Sequence, residues 1–181
     1  MAAALKRPYV HVLFGARQTG KSTLLRSLLG DAALWLDLSD PEQRSTYLAR
    51  PGRFVEECRA LPRRRGPHFV VVDEVQAVPA IFDGVQHLYD QDPKRFRFVL
   101  SGSSARKLRV TGANLLPGRA VFHRLHPLIL LERPSSERDP DLSAQRGQLV
   151  PIAGNVTGGP LFPATSLIDR LTFGELPGIA L

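Results

Sequence analysis

Apolar and polar positions along the chain change period in short blocks. Residues 9–14 (YVHVLF) form an unbroken apolar and aromatic run closed by Gly15, as expected of a strand buried on both faces. Residues 20–29 (GKSTLLRSLL) carry leucines at 24, 25, 28 and 29. That spacing predicts an amphipathic helix, with Gly30 as its stop. Residues 33–38 (ALWLDL) read as a second strand. Asp40-Pro41-Glu42 then has the form of an N-cap followed by proline in the first helical position. Two short helices broken at Pro51-Gly52 follow, and residues 61–67 (LPRRRGP) make a basic turn. Residues 68–74 (HFVVVDE) read as a third strand with acids at its C-terminal end. Residues 79–89 suit a helix, 96–100 (FRFVL) a fourth strand, 103–109 a short helix and 120–128 a fifth strand. Strands alternating with helices predict an α/β fold with a mostly parallel sheet.

The pattern fades after about residue 131. Residues 132–160 are rich in Ser, Pro, Asp, Gly and Arg and read as a linker or poorly ordered segment, while 161–181 regain some apolar positions. The expected organisation is therefore a core over 1–131, the linker over 132–160, and a segment over 161–181 that is too short to be a domain.

Composition narrows the class. Across 181 residues, 43% are hydrophobic and 23% charged, which is ordinary for a globular protein. Apolar runs are too short to span a bilayer. The first residues (MAAALKRPYVHVLF) lack an apolar signal core and a cleavage site. With Cys58 alone, an internal disulfide or a cysteine metal site is excluded. A cytoplasmic protein without a membrane association is the expectation. The net charge of +7 is compatible with nucleic acid, but Arg supplies 20 of the 24 basic residues. Together with abundant Ala, Gly and Pro, that bias also fits a GC-rich genome.

The densest chemistry lies at Gly15-Ala16-Arg17-Gln18-Thr19-Gly20-Lys21-Ser22, a full G-x-x-x-x-G-K-[ST] match between a predicted strand and a predicted helix. Its glycines let the backbone amides wrap phosphate oxygens, and the following helix adds its positive end. Lys21 is a point charge for the β- and γ-phosphates, the Ser22 hydroxyl is a Mg2+ ligand, and Thr23 completes the binding stretch. Four apolar residues followed by Asp73-Glu74 form a second element, in which Asp73 holds Mg2+ and Glu74 orients and polarises the attacking water. Ser101, ahead of Ser103, is the candidate hydroxyl at the tip of the fourth strand. Arg119, ahead of Arg106, is the candidate arginine finger, in cis or from a neighbouring subunit. His123 and His126, three apart on a predicted strand, face opposite ways and form no metal pair.

These blocks carry a family resemblance. Leu13 to Leu25 (LFGARQTGKSTLL), Val72-Asp73-Glu74-Val75-Gln76 with Pro79, Leu100-Ser101-Gly102-Ser103-Ser104-Ala105-Arg106-Lys107-Leu108, Asn114-Leu115-Leu116 with Gly118-Arg119, and Leu125 with Pro127-Leu128 resemble the prokaryotic AAA+-like ATPases that carry a C-terminal domain of unknown function. The resemblance covers about residues 5–131. It implies a P-loop NTPase three-layer sandwich with strand order 5-1-4-3-2, adenine as the base, and Glu74 as the hydrolytic base. The absence of a guanine-reading N-K-x-D motif agrees with adenine. Gln76 matches a family position for which the sequence supplies no role. Residues 171–178 (LTFGELPG) resemble only the opening of the further domain, so the chain looks like a truncated member.

Three readings stay open on this basis. The first is an Mg-dependent ATPase that releases ADP and phosphate. The second is a nucleotide-binding switch or remnant with little turnover. The third is a nucleic-acid-dependent ATPase using Arg63-Arg64-Arg65, Lys94-Arg95 with Arg97, and Arg106-Lys107 with Arg109. A homo-oligomer is a candidate association in each.

Overall fold

The computed structural model describes residues 1, 3–32, 34–103, 116–127, 166 and 168–169. It divides into two compact units: Met1–Arg17 with Lys21–Leu125, and Gln18–Gly20 with His126–Leu181. In the second unit, the Ser166 hydroxyl accepts from the Asp169 amide at 3.0 Å and donates to its carboxylate at 2.8 Å. The expected helix over 103–109 falls outside the described residues from 104 onward, as do Arg106, Lys107, Arg109 and the 132–160 linker. All but three of residues 161–181 also lie outside them.

The first unit holds strands β1 (Val10–Gly15), β2 (Leu34–Asp37), β3 (His68–Asp73), β4 (Phe96–Gly102) and β5 (Ala120–Leu125), with helices α1 (Lys21–Leu29), α2 (Pro41–Ala49), α3 (Gly52–Ala60) and α4 (Ile81–Gln91). All strand pairs are parallel, in the order β2-β3-β4-β1-β5. This is the 5-1-4-3-2 order implied by the resemblance. Its register sets His11 against Val99 and Val121, and Val71 against Val99 and Trp35.

Side-chain alternation divides the sheet into two apolar layers. Val10, Val12, Phe14, Val70, Val72, Phe96, Phe98 and Leu100 pack with Tyr47 of α2, Phe54 and Cys58 of α3, and Ile81, Phe82, Val85 and Leu88 of α4. On the opposite face Leu13, Val71 and Val99 pack with Leu25 and Leu29 of α1 and with Leu5. Helices cover both faces, which is why β1, β3 and β4 are almost wholly buried and read as continuous apolar runs. Close packing of α3 on α4 depends on Gly84, where a Cβ would meet Phe54 Cδ1 at 3.0 Å and Val55 Cγ2 at 3.2 Å.

The helix break at Pro51-Gly52 lies where expected, and Asp40 caps α2 by accepting from the Glu42 amide at 2.9 Å. Several boundaries differ from the expectation. Strand β3 stops at Asp73 because Glu74 turns into the left-handed region, at φ 52° and ψ 42°. A 3-10 turn at Val75–Ala77 then delays α4 to Ile81. Strand β4 continues two residues further, to Gly102. Strand β5 ends at Leu125, two residues before Pro127, which has no amide hydrogen to give a ladder.

Candidate functional site

The topology brings Gly15, Lys21, Asp73 and Ser101 to one end of the sheet. Gly15 ends β1, Asp73 ends β3 and Ser101 lies one residue from the end of β4, while Lys21 opens α1. Ser101 pairs in register with Leu13, and Val72 with Leu100. The alternation that sends Leu13, Val71 and Val99 toward α1 sends Asp73 and Ser101 the same way. Ser22, in the first turn of α1, meets them there.

Asp73 is the hub. It is buried, and its Oδ2 accepts from the Ser22 hydroxyl across 51 residues of chain. Its Oδ1 accepts from the Ser101 hydroxyl and from the Glu74 amide, the latter at 3.0 Å. A buried carboxylate is stable only when its lone pairs are met, and among the described residues three donors meet them. Ser101 is fully buried, so its hydroxyl serves Asp73. Ser103, half-exposed, has a different neighbour: its hydroxyl accepts from Gln76 Nε2 at 3.2 Å.

Lys21 is 5% exposed, and its ammonium donates at 2.9 Å to the carbonyls of Gly15 and of Ala16. It makes no ion pair among the described residues. A cation held on two neutral dipoles keeps an uncompensated charge, so its surroundings attract an anion. Ala16, Arg17 and Gln18 are exposed, Thr19 is buried, and Gln18 and Gly20 take φ of 63° and 83°. Positive φ is the backbone setting that turns successive amides to one side of a loop.

Glu74 is half-buried and sits in the left-handed region, which costs a non-glycine residue about 1 kcal/mol or more. The turn bends the chain back so that Gln76, two residues on, donates its side-chain amide to the Glu74 carboxylate.

Arg119 lies elsewhere. It precedes Ala120, which pairs with Val10, so it sits at the start of β1 and β5 while Gly15 sits at the far end. Six residues of strand span roughly 20 Å. Its guanidinium holds both oxygens of Asp90, at 2.5 and 3.0 Å. It therefore does not reach Ser22 or Asp73 of its own chain. In the two basic clusters that lie within the described residues, three arginines donate to nearby carbonyls. Arg64 donates to the Pro67 carbonyl, Arg95 to those of Arg59 and Leu61, and Arg97 to those of Pro93 and Phe96.

Sequence reasoning missed a histidine pair. His11, fully buried on β1, places Nδ1 3.1 Å from Nε2 of His123 on β5, with ring centroids 5.3 Å apart. Burial holds both imidazoles below their ordinary pKa. The neighbouring His123 and Arg97 charges also lower His11, while the Arg7 carbonyl raises it. The pair is 112 residues apart in sequence, and no local pattern announces it. Cys58 is buried in the core, where desolvation pushes its thiol up to about 12 and makes it a poor nucleophile.

A buried lysine, a hydroxyl beside a buried carboxylate, and a parallel sheet in this order define an AAA-like P-loop ATPase domain. The family model described as "AAA domain" matches residues 7–133, more than half of the chain, and the chain belongs to that family. It is also similar to two uncharacterized proteins, one of Mycobacterium bovis and one of Mycobacterium tuberculosis. Each is 31% identical over 138 residues, a match covering 75% of this chain and 29% of the relative. The chain thus spans less than a third of the length of the curated relatives it matches. The family is one of nucleotide-binding, ATPase-like domains. No helix among the described residues is long and apolar enough to cross a membrane.

Proposed function

We propose that this chain binds Mg·ATP along Gly15–Thr23 and hydrolyses it to ADP and phosphate. The observation that carries this reading is the contact between Ser22 and Asp73, one residue along α1 from the buried Lys21, whose ammonium makes no ion pair among the described residues. A hydroxyl and a carboxylate in contact are the hard oxygen donors that suit Mg2+. Among the described residues no three His, Cys, Asp or Glu side chains converge, so other ligands would be phosphate oxygens and water. Mg2+ there would neutralise charge building on the phosphate oxygens.

The chain's own residues divide the remaining work. Lys21 leaves the Gly15 and Ala16 carbonyls and places its charge on the β- and γ-phosphates. Ser101 keeps Asp73 oriented from below. Glu74, on its bent backbone, accepts a hydrogen bond from a water and aims it in line at the γ-phosphorus. Positioning and electrostatics supply most of the rate in phosphoryl transfer, so the precise seating of these groups matters more than their strength as acids or bases.

Phosphate release by wild type and Glu74→Gln tests the reading. Turnover should fall at least about 100-fold in the variant while binding of a fluorescent ATP analogue stays within a few-fold. Binding without phosphate release in the wild type would favour a nucleotide-dependent switch.

A further inference from the structure

Gln76 has contacts that neither the fold nor metal binding requires. It lies in the 3-10 turn after β3, and its amide nitrogen bridges the Glu74 carboxylate and the Ser103 hydroxyl at the tip of β4. Its Oε1 is buried and meets no hydrogen-bond donor among the described residues. That oxygen lies against Gly102, where a Cβ would come within 2.5 Å of it. The amide orientation follows from chemistry, since turning it over would set a carbonyl oxygen against a carboxylate, two acceptors with no proton between them. Holding a buried carbonyl unsatisfied is unfavourable, and the chain accepts it where the other end of the same side chain grips Glu74. The left-handed backbone at Glu74 and the side-chain-free surface at Gly102 are both needed for this arrangement.

We propose that Gln76 is the positioning residue for Glu74. It fixes the carboxylate that aims the attacking water and ties its place to the tip of β4 through Ser103. This inference rests on the ATPase reading above. Gln76 itself touches neither water nor phosphate. It acts by removing the rotamer freedom of Glu74, so its loss should lower the hydrolytic rate and leave nucleotide affinity intact. Gly102 serves the same end from the neighbouring strand, because any side chain there displaces the amide.

The test uses the full chain and two kinds of measurement. In single-turnover and steady-state assays, Gln76→Ala should lower kcat by about 10- to 100-fold, the scale of a catalytic group displaced by about 1 Å. Its Kd for a fluorescent ATP analogue should stay within twofold of wild type. Gly102→Ala should show the same split between rate and binding, and Ser103→Ala a smaller loss of rate. Gln76→Glu keeps the side-chain length but opposes Glu74 with a second carboxylate. It should move the acid limb of the kcat–pH profile to higher pH, because one of two adjoining carboxyls titrates late. A side chain that merely packs would leave that limb in place.

Without nucleotide, the Gln76 side-chain amide signals in a 1H–15N spectrum, assigned by their loss in Gln76→Ala, should exchange slowly and shift in Glu74→Ala. If the wild type hydrolyses ATP while Gln76→Ala keeps kcat within threefold or exceeds it, the positioning role is wrong and the ATPase reading stands. Amide signals at the free-glutamine position, unmoved by Glu74→Ala, overturn it equally. A wild type that binds the analogue but releases no phosphate overturns the ATPase reading, and the proposal falls with it.

Discussion

Replacing Ser101 by alanine deletes one oxygen from a fully buried position. It removes one of the three donors that meet the buried Asp73 carboxylate. A hydrogen bond to a charged group contributes about 1.5–3 kcal/mol, and more is lost when the remaining partner is stranded out of reach of water. Here the stranded oxygen keeps the Glu74 amide at 3.0 Å, which places the expected loss near the lower half of that range. The void is only one oxygen in size and adds little. We therefore expect Ser101→Ala to destabilise the fold by about 2 kcal/mol, equivalent to roughly 4–8 °C in Tm for a chain of this size. Urea unfolding followed by the fluorescence of Trp35, the single tryptophan, reads the difference directly. Ser103→Ala is the control, since among the described residues its half-exposed hydroxyl meets a neutral amide at 3.2 Å, and it should cost well under 1 kcal/mol. Equal effects from the two variants, or a loss below about 0.5 kcal/mol at Ser101, would refute the claim that Ser101 works by holding Asp73.

Two further outcomes follow from the fold. His11 and His123 both titrate below the ordinary histidine value because of burial, so the unfolded chain takes up protons first as pH falls. Their contribution to stability is complete above about pH 6.5 and is lost as pH drops through that value toward the folded pKa values. Urea midpoints should fall between pH 8 and 5.5 and do so less steeply in His123→Gln; identical slopes would contradict this. Gly84→Ala should cost about 1–3 kcal/mol by pushing a methyl into Phe54 and Val55, and a neutral result would show that α3 and α4 are free to separate.

Much of the fold was legible because the governing signals are local. The apolar run before Gly15, the leucines of α1, and the Asp40-Pro41 cap each state their element within a few residues. The apolar run of HFVVVDE was equally plain, although Glu74 left the strand because its backbone turned left-handed to bring Gln76 onto its carboxylate. Strand order came from the resemblance, since periodicity says which segments are strands and nothing about which lie side by side. At the site, the residue types at Lys21, Ser22 and Asp73 were evident from spacing. Their partners were not. Ser101, the candidate hydroxyl at the tip of the fourth strand, lies against Asp73, and Arg119 lies on Asp90 at the other end of the sheet. The His11–His123 pair joins strands whose contact depends on β5 returning beside β1. Contacts across 28 to 112 residues arise from sheet topology, which no local window contains.

The claim on which the account depends is that the Lys21 site receives a nucleoside triphosphate. Titrating the full chain with a fluorescent ATP analogue and Mg2+, beside Lys21→Ala, tests it most directly. The account predicts saturable binding by the wild type, competed by ATP, and a loss of affinity of at least about tenfold in the variant, the equivalent of 1.4 kcal/mol. Equal binding by both proteins, or none by a wild type that unfolds cooperatively in urea, would contradict it.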